Sequence, residues 1–150
     1  MSRQPGQPAV DFSLPTAEGT AFALSRTGPA VRVLIFGGSA AAGPVRELYR
    51  RFGSAGVRVL QVDCETGGGP APGDPSAGGP LRLLDNAQEV ARAYAAAVVG
   101  EAVVVGPDGL IRYRGDWPGA AAAVEDLLAG RPVAAPTTAV QGAPIAWQAH

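Results

Sequence analysis

The stretch that decides the fold is residues 102–114, which read AVVVGPDGLIRYR. An apolar run, Ala102 to Val105, is followed by Pro107-Asp108-Gly109 and then by a second strand-like segment, Leu110 to Arg114. Proline presets the φ angle of a turn and glycine accepts a positive φ, while valine and isoleucine favour strands. The stretch therefore predicts two antiparallel strands joined by a tight turn.

The elements before this hairpin form a βαβ unit. The segments Val31 to Phe36 and Val57 to Val62 are almost wholly apolar, as strands covered on both faces are. Between them, apolar residues recur at helical spacing from Ala40 to about Ala55. Such a unit followed by an antiparallel hairpin predicts an α/β fold with a mixed central sheet and helices on both faces.

Further predicted elements complete this order. They are an N-terminal β-hairpin (Val10 to Leu14 and Thr20 to Leu24), a brief extended piece at Leu81 to Leu84, a helix from Asn86 to Ala97 capped by Asp85 or Asn86, and a last helix from Gly119 to Ala129. Six Gly and four Pro fall within 67–80, which predicts a mobile loop. We expect residues 1–9 to be a flexible N-terminus, 10–132 one domain, and 133–150 a tail that docks through Ile145 and Trp147.

The composition argues against several classes of protein. One Cys in 150 residues allows no internal disulfide, CxxC dithiol or Cys-rich zinc site, and we predict neither a metal nor a cofactor. The one His is His150, which leaves no internal base for a nucleophilic Ser or Cys. A net charge of −1 gives no excess of positive charge that would bind nucleic acid.

Since no apolar run is long enough to span a membrane and the start does not resemble a signal peptide, we expect a cytoplasmic protein with no membrane contact.

The order of elements and the local sequence together resemble one family. Residues 10–25, VDFSLPTAEGTAFALS, look like the opening hairpin of the alkyl hydroperoxide reductase/thiol-specific antioxidant group, the peroxiredoxin-like redoxins. Residues 31–52, VRVLIFGGSAAAGPVRELYRRF, are similar to the strand, active-site loop and helix of that group, and 83–115 resemble its second half. The resemblance runs from Val10 to about Trp147. It implies a thioredoxin-like fold, with a reactive thiolate expected at the N-terminus of the first main helix.

The positions to which this resemblance assigns redox chemistry carry other residues. The two loop cysteines of the family align with Gly38 and Ala41, its cis-proline with Gly100, and the tail cysteine of one subgroup with Ala143. A helix N-terminus stabilises a thiolate there, and glycine and alanine have no group that can replace it. We therefore expect a thioredoxin-like protein without thiol-disulfide or peroxide chemistry.

Gly38 and Ala41 have a hydrogen atom and a methyl group where the family carries cysteine side chains. These smaller side chains predict a wider and more apolar groove at the start of that helix. Concave apolar surfaces with a few polar groups are typical of ligand sites. Our first hypothesis is that the groove binds a small apolar ligand or a peptide. The residues predicted to line it are Gly38, Ser39, Ala40, Ala41, Gly100, Glu101 and Trp117.

Three side chains are candidates for chemistry in or near that groove, and each has a structural alternative. Cys64, at the end of the second core strand, is a candidate thiol nucleophile or an incidental small residue. Glu101 is a candidate general acid or base, or a solvated carboxylate at a strand start. Ser39 is a candidate nucleophile or a helix cap, and Trp117 either walls the groove or packs in the core.

Two further functional hypotheses stay open at this point. One is an enzyme of non-thiol chemistry, or a Cys64-based oxidoreductase, that uses the same groove. The other is a structural or regulatory partner of an active redoxin. The alternative to a complex with a redoxin is a homodimer of this chain. Fold alone does not decide among them, because one scaffold hosts many functions.

Overall fold

The computed structural model describes residues 5–16, 21–27, 30–37, 39–64, 81–85, 88–94, 96–138, 140 and 145. Within 39–42 only the backbone is described. The predicted loop at 67–80 and positions Gly38, Ala143, Trp147 and His150 lie outside these residues.

Seven strands and three α-helices make up the described part of the chain. The strands are β1 (Ser13–Pro15), β2 (Ala21–Ala23), β3 (Arg32–Phe36), β4 (Arg58–Asp63), β5 (Leu81–Leu84), β6 (Ala102–Val105) and β7 (Ile111–Gly115). The helices are α1 (Ser39–Phe52), α2 (Glu89–Ala93) and α3 (Trp117–Leu128), with 3₁₀ turns at Leu24–Thr27 and Gly53–Ala55.

Five of the strands form one mixed sheet in the order β5-β4-β3-β6-β7. Strands β3, β4 and β5 are parallel, while β6 is antiparallel to both β3 and β7. Strands β1 and β2 form a separate antiparallel hairpin. This topology confirms the predicted α/β fold with a mixed central sheet and an N-terminal β-hairpin.

The alternation of side chains along the buried strands creates one apolar cluster on each face of the sheet. Val33 and Ile35 of β3 belong to the cluster covered by α1 and α3, which we call the α1/α3 face. Leu34 and Phe36 belong to the opposite cluster, which contains Leu24, residues of α2, Tyr94 and Ile145, and against which the N-terminal hairpin packs; we call it the α2 face. Because β3 is buried on both sides, its sequence is apolar at nearly every position.

Both edges of the sheet are joined to other segments of the chain. Thr16 forms an isolated bridge with Leu83 of β5, and Thr137 of the tail forms one with Arg114 of β7. Residues 5–9 pair with the hairpin turn, since Gly6 N–H donates to Ile111 O at 2.7 Å and Ile111 N–H to Gln7 O at 2.8 Å. The structure thus gives hydrogen-bond partners to 5–9, where the sequence predicts a flexible segment.

Tyr113, Asp116 and Thr138 hold the tail against β7 in an arrangement that we call the tail clamp. The Tyr113 hydroxyl donates to Asp116 O at 2.8 Å and contacts the Thr138 hydroxyl, which also accepts from Asp116 N–H at 3.1 Å. Tyr113 is fully buried. Ile145, farther along the tail, is buried on the α2 face and donates its N–H to Ala97 O at 2.9 Å.

The helix boundaries differ from the sequence prediction at α2 and α3. Helix α2 covers Glu89–Ala93 rather than 86–97, because the Asp85 carboxylate binds the amides of Val90 and Ala91 and so sets a later start. Helix α3 begins at Trp117 rather than 119, because Asp116 caps it by accepting from Gly119 N–H at 2.9 Å.

Candidate functional site

The candidate site lies at the edge of the sheet where β3 and β4 end and α1 begins. Gly37 follows β3, Cys64 follows β4, and the loop 98–101 leads into β6 beside them. In parallel α/β sheets, ligands bind at the carboxyl ends of the strands. Gly37, Gly100 and the start of α1 make up this region, which we call the site edge.

Backbone hydrogen bonds fix the loop 98–101 against the end of β3. Gly100 N–H donates to Phe36 O at 2.8 Å, and Phe36 N–H donates to Glu101 O at 3.0 Å. Gly37 N–H donates to Val62 O at 3.0 Å, and its carbonyl accepts from Gln61 Nε2 at 3.2 Å. The polar backbone groups of Gly37 are thus bound to the neighbouring strand β4.

Gly100, the position that aligns with the cis-proline of the redoxins, has a left-handed backbone with φ of +92°. No cis peptide bond occurs among the described residues. A Cβ built on Gly100 has no described neighbour within 4 Å, so open space lies directly over the loop. The conformation requires glycine, since other residues adopt a positive φ only with strain.

Glu101 is buried and its carboxylate is bound on both oxygens. Oε2 accepts from Arg114 Nε at 2.8 Å, and Oε1 accepts from Ala97 N–H at 2.9 Å. Arg114 also donates to the carbonyl of Tyr94. The pair therefore ties the end of α2 to β6 and β7 on the α2 face, which is a structural role for both side chains.

Trp117 does not lie with Glu101. The indole is half-buried and packs against the cluster of the α1/α3 face, whereas Arg114, the partner of Glu101, binds Tyr94 on the α2 face. The structure thus places these two predicted groove residues on opposite sides of the sheet. It brings Gly100 and the start of α1 to the same edge, where Ser39 is the first residue of the helix and the side chains of Ser39, Ala40 and Ala41 are not described.

Cys64 lies at the predicted strand end but points into the core. Its exposed fraction is 0%, and it belongs to the apolar cluster of the α2 face. Its carbonyl accepts from the amide of Gln88, itself fully buried, at 2.8 Å. A nucleophilic thiol must meet its substrate, and this sulfur is enclosed by the packed cluster.

Arg114 and Arg82 were not singled out by the sequence, although both shape this end of the sheet. Arg114 neutralises Glu101, and Arg82 of β5 binds the buried carboxylate of Asp63, with Nε 2.8 Å from Oδ2. Each pair joins neighbouring segments inside the protein, where an unpaired charge is strongly unfavourable. A charged residue within an otherwise apolar strand was the signal that could have found Arg82.

Other kinds of site receive no support from the part of the chain that the structure describes. Within the described ranges, His, Cys, Asp and Glu side chains form no group of three or more suited to a metal ion. None of the described helices is both long enough and apolar enough to cross a membrane.

Comparison with known proteins adds a fold likeness to this geometry. No protein-family model matches the sequence, and neither does any curated protein. An uncharacterised conserved protein of Geobacillus kaustophilus superposes with a TM-score of 0.80 at 23% identity, covering 97% of this chain and 93% of that one. A hypothetical protein of Sinorhizobium meliloti does so with a TM-score of 0.79 at 21% identity, covering 100% and 98%.

A third solved structure is the thioredoxin domain of a thiol-disulfide oxidoreductase from Bacteroides vulgatus. Its TM-score is 0.59 at 15% identity, over 75% of this chain and 89% of that domain. Likenesses at such identities establish the fold and leave the activity open. Together with the mixed sheet and the helix that follows β3, they identify the chain as a thioredoxin-like fold that carries a single, buried cysteine.

Proposed function

We propose that this protein is a redox-inactive member of the thioredoxin-like redoxins whose site edge binds a small apolar ligand or an extended peptide. The observation that carries the proposal is the position of Cys64. The only thiol of the chain is completely buried, and Gly38 before α1 and Ala41 in its first turn stand at the positions where the redoxin resemblance expects cysteines. A thiolate at a helix N-terminus is what makes such a scaffold reactive, so its loss removes disulfide exchange.

Binding rather than another chemistry is supported by the groups present at the site edge. Glu101 is occupied by Arg114 and by Ala97 N–H, so its carboxylate is not presented to a substrate. Gly37 and Gly100 carry no side chain there, and a Cβ on Gly100 meets no described atom within 4 Å, which gives a ligand room to approach the loop closely. Backbone and glycine residues at a surface suit an uncharged apolar chain.

The absence of thiol chemistry is tested by the reactivity of Cys64. We expect Ellman's reagent to label no thiol in the native protein and one thiol per chain in urea, because burial excludes the reagent until the chain unfolds. With dithiothreitol, the protein should reduce insulin no faster than its Cys64→Ala variant. Rapid native labelling, or insulin reduction that Cys64→Ala abolishes, would show that the thiol is active.

Peptide binding is tested directly with a capped, uncharged tripeptide, acetyl-Val-Leu-Val-amide, titrated into ¹⁵N-labelled protein. We expect the largest amide shifts at Gly37 and Gly100, because both lie at the site edge. Shifts confined to other surfaces, or none at millimolar peptide, contradict the binding proposal and leave the result on thiol chemistry unaffected.

A further inference from the structure

A cavity of about 670 Å³ lies at the end of the sheet opposite the site edge. Its walls come from three segments: residues 5–6, the hairpin turn with the start of β7 (107–112), and the end of α3 with the tail (127–136). Val105, which leads into the turn, pairs with Arg32 at the beginning of β3, whereas the site edge follows the end of that strand. A five-residue strand spans about 15 Å, so the two places are separate. We call this cavity the turn pocket.

Hydrogen bonds fix the walls of the turn pocket. On one side, Gly6 N–H donates to Ile111 O at 2.7 Å. On the other, the Asp126 carboxylate accepts from Ala134 N–H at 3.1 Å, and Arg131 N–H donates to Asp126 O at 2.8 Å. A preformed pocket loses little conformational freedom when it binds, which favours affinity for small ligands. Its volume also lies within the usual range for such sites, about 300–1,000 Å³.

The inner lining of the turn pocket is apolar and stiff. Four prolines contribute to it, and their rings provide apolar surface without an N–H donor. Ile111 is fully buried, while Leu127 and Val133 are half-buried and pack against the α1/α3 face. This lining suits the hydrocarbon part of a ligand and offers few partners to a polar one.

Two arginines and one aspartate are the ionisable side chains at the rim. They are Arg112, Arg131 and Asp108. Arg112 is paired with Asp108, and Arg131 with Asp126, in each case through Nη2. Arg112 and Asp108 are 38% and 47% exposed, and exposed ion pairs contribute only about 0–1 kcal/mol, so a ligand anion can compete with that aspartate. Arg131 is 63% exposed, although its partner Asp126 is 17% exposed. A guanidinium has five N–H donors, and one carboxylate does not use them all.

We propose that the turn pocket binds a small organic carboxylate, with its hydrocarbon chain against the proline-rich lining and its carboxylate at Arg112 and Arg131. The N–H donors that the two guanidiniums leave unused by their aspartates favour an anionic head at the rim, and the apolar lining favours a hydrocarbon body over a sugar or a nucleotide. This site does not depend on the function proposed for the site edge, because no residue is shared between them.

Sodium octanoate is the probe for this proposal, and 1-octanol is its uncharged counterpart. In a titration of ¹⁵N-labelled protein, we expect octanoate to shift the amides of Gly6 and Gly130, and octanol to bind about tenfold more weakly because it lacks the charge-assisted contacts. Arg131→Gln and Arg112→Gln should each weaken octanoate binding about three- to fivefold. Both side chains are exposed at the rim, so these variants should fold normally.

Arg50→Gln is the matched control, since Arg50 is also exposed and paired with a carboxylate, Glu47, but lies on α1. Its octanoate affinity should equal that of the unchanged protein. The proposal is overturned if octanoate binds no better than octanol, if Arg131→Gln and Arg50→Gln behave alike, or if the shifts fall at Gly37 and Gly100. The capped peptide, which has no charge, should leave Gly6 and Gly130 unshifted.

Discussion

Glycines beside the tail clamp and at the site edge are favoured over other residues for opposite reasons. At the clamp there is no space: a Cβ on Gly119 would stand 2.1 Å from the Tyr113 hydroxyl, and one on Gly115 would stand 2.2 Å from that of Thr138. At the site edge, Gly100 has open space and needs glycine only for its positive φ. The comparison teaches that the clamp is a packed structural joint, while no described atom crowds Gly100 at the site edge.

The largest effect is expected from removing the cation that holds the site-edge loop. Arg114→Met leaves the Glu101 carboxylate buried without its counterion, which should lower the free energy of unfolding by about 3–5 kcal/mol. Urea denaturation followed by circular dichroism measures this loss. The double variant Glu101→Met with Arg114→Met should recover most of it, because no charge then stays buried. A loss below about 1 kcal/mol in Arg114→Met would show that the pair does not hold the loop.

A second prediction uses the same substitution in two helices to test the packing of the clamp. Gly119→Ala should destabilise the protein by about 2 kcal/mol, because the new methyl group displaces the buried Tyr113 ring. Gly43→Ala in α1 is the matched control, since its Cβ meets nothing within 4 Å. That variant should stabilise the protein by about 0.5–1 kcal/mol through helix propensity. Equal effects in the two variants would contradict a tightly packed clamp.

The clamp should also give the protein a characteristic alkaline sensitivity. Burial raises the pKa of the Tyr113 hydroxyl to about 12 from its ordinary value of 10. The unfolded chain then loses this proton before the folded chain does, so stability is complete below pH 10 and falls as the pH rises through 12. At pH 11 the loss should reach roughly 1 kcal/mol.

Urea denaturation at pH 8 and pH 11 measures this loss, with Tyr113→Phe as the control. The chain has no Lys that would titrate in the same range. The other tyrosines are present in both proteins, so the difference between their pH slopes reports Tyr113. Identical slopes would mean that the hydroxyl is not buried in the clamp.

Local sequence was sufficient for the central sheet and insufficient for the contacts between its ends. The Pro-Asp-Gly turn and the apolar runs predict β3, β4, β6 and β7 because those signals lie within a few residues of one another. The partner of Glu101 depends instead on a register shift between Val104 and Val105, which pairs Arg114 with Val103. In a regular hairpin that kept the Val105–Ile111 pair, Arg114 would oppose Ala102 and face the other side of the sheet.

The end of α2 was unpredictable for a related reason. Beyond the helix, Ala97 N–H is taken by Glu101 and the Tyr94 carbonyl by Arg114, so tertiary contacts replace the helical ones that the alanine-rich sequence would otherwise support. The start of α3 was readable, in contrast. Asp116 followed by Pro118 in the first turn is a capping signal, and the prediction of a start at 119 overlooked it.

The smallest effect on stability, and the most direct test of the comparison, comes from two glycines that share a backbone conformation. Gly100 at the site edge and Gly109 in the hairpin turn have φ of +92° and +83°, and a Cβ on either one meets nothing within 4 Å. Alanine at each position should therefore cost about the same, roughly 1 kcal/mol of backbone strain.

The affinity for the capped tripeptide should differ between the two variants, because the methyl group of Gly100→Ala enters the space over the loop while that of Gly109→Ala lies at the far end of the sheet. We expect a severalfold weaker affinity in Gly100→Ala alone. If both variants bind the peptide equally well, the open space over Gly100 is a consequence of the turn and not a place that a ligand occupies.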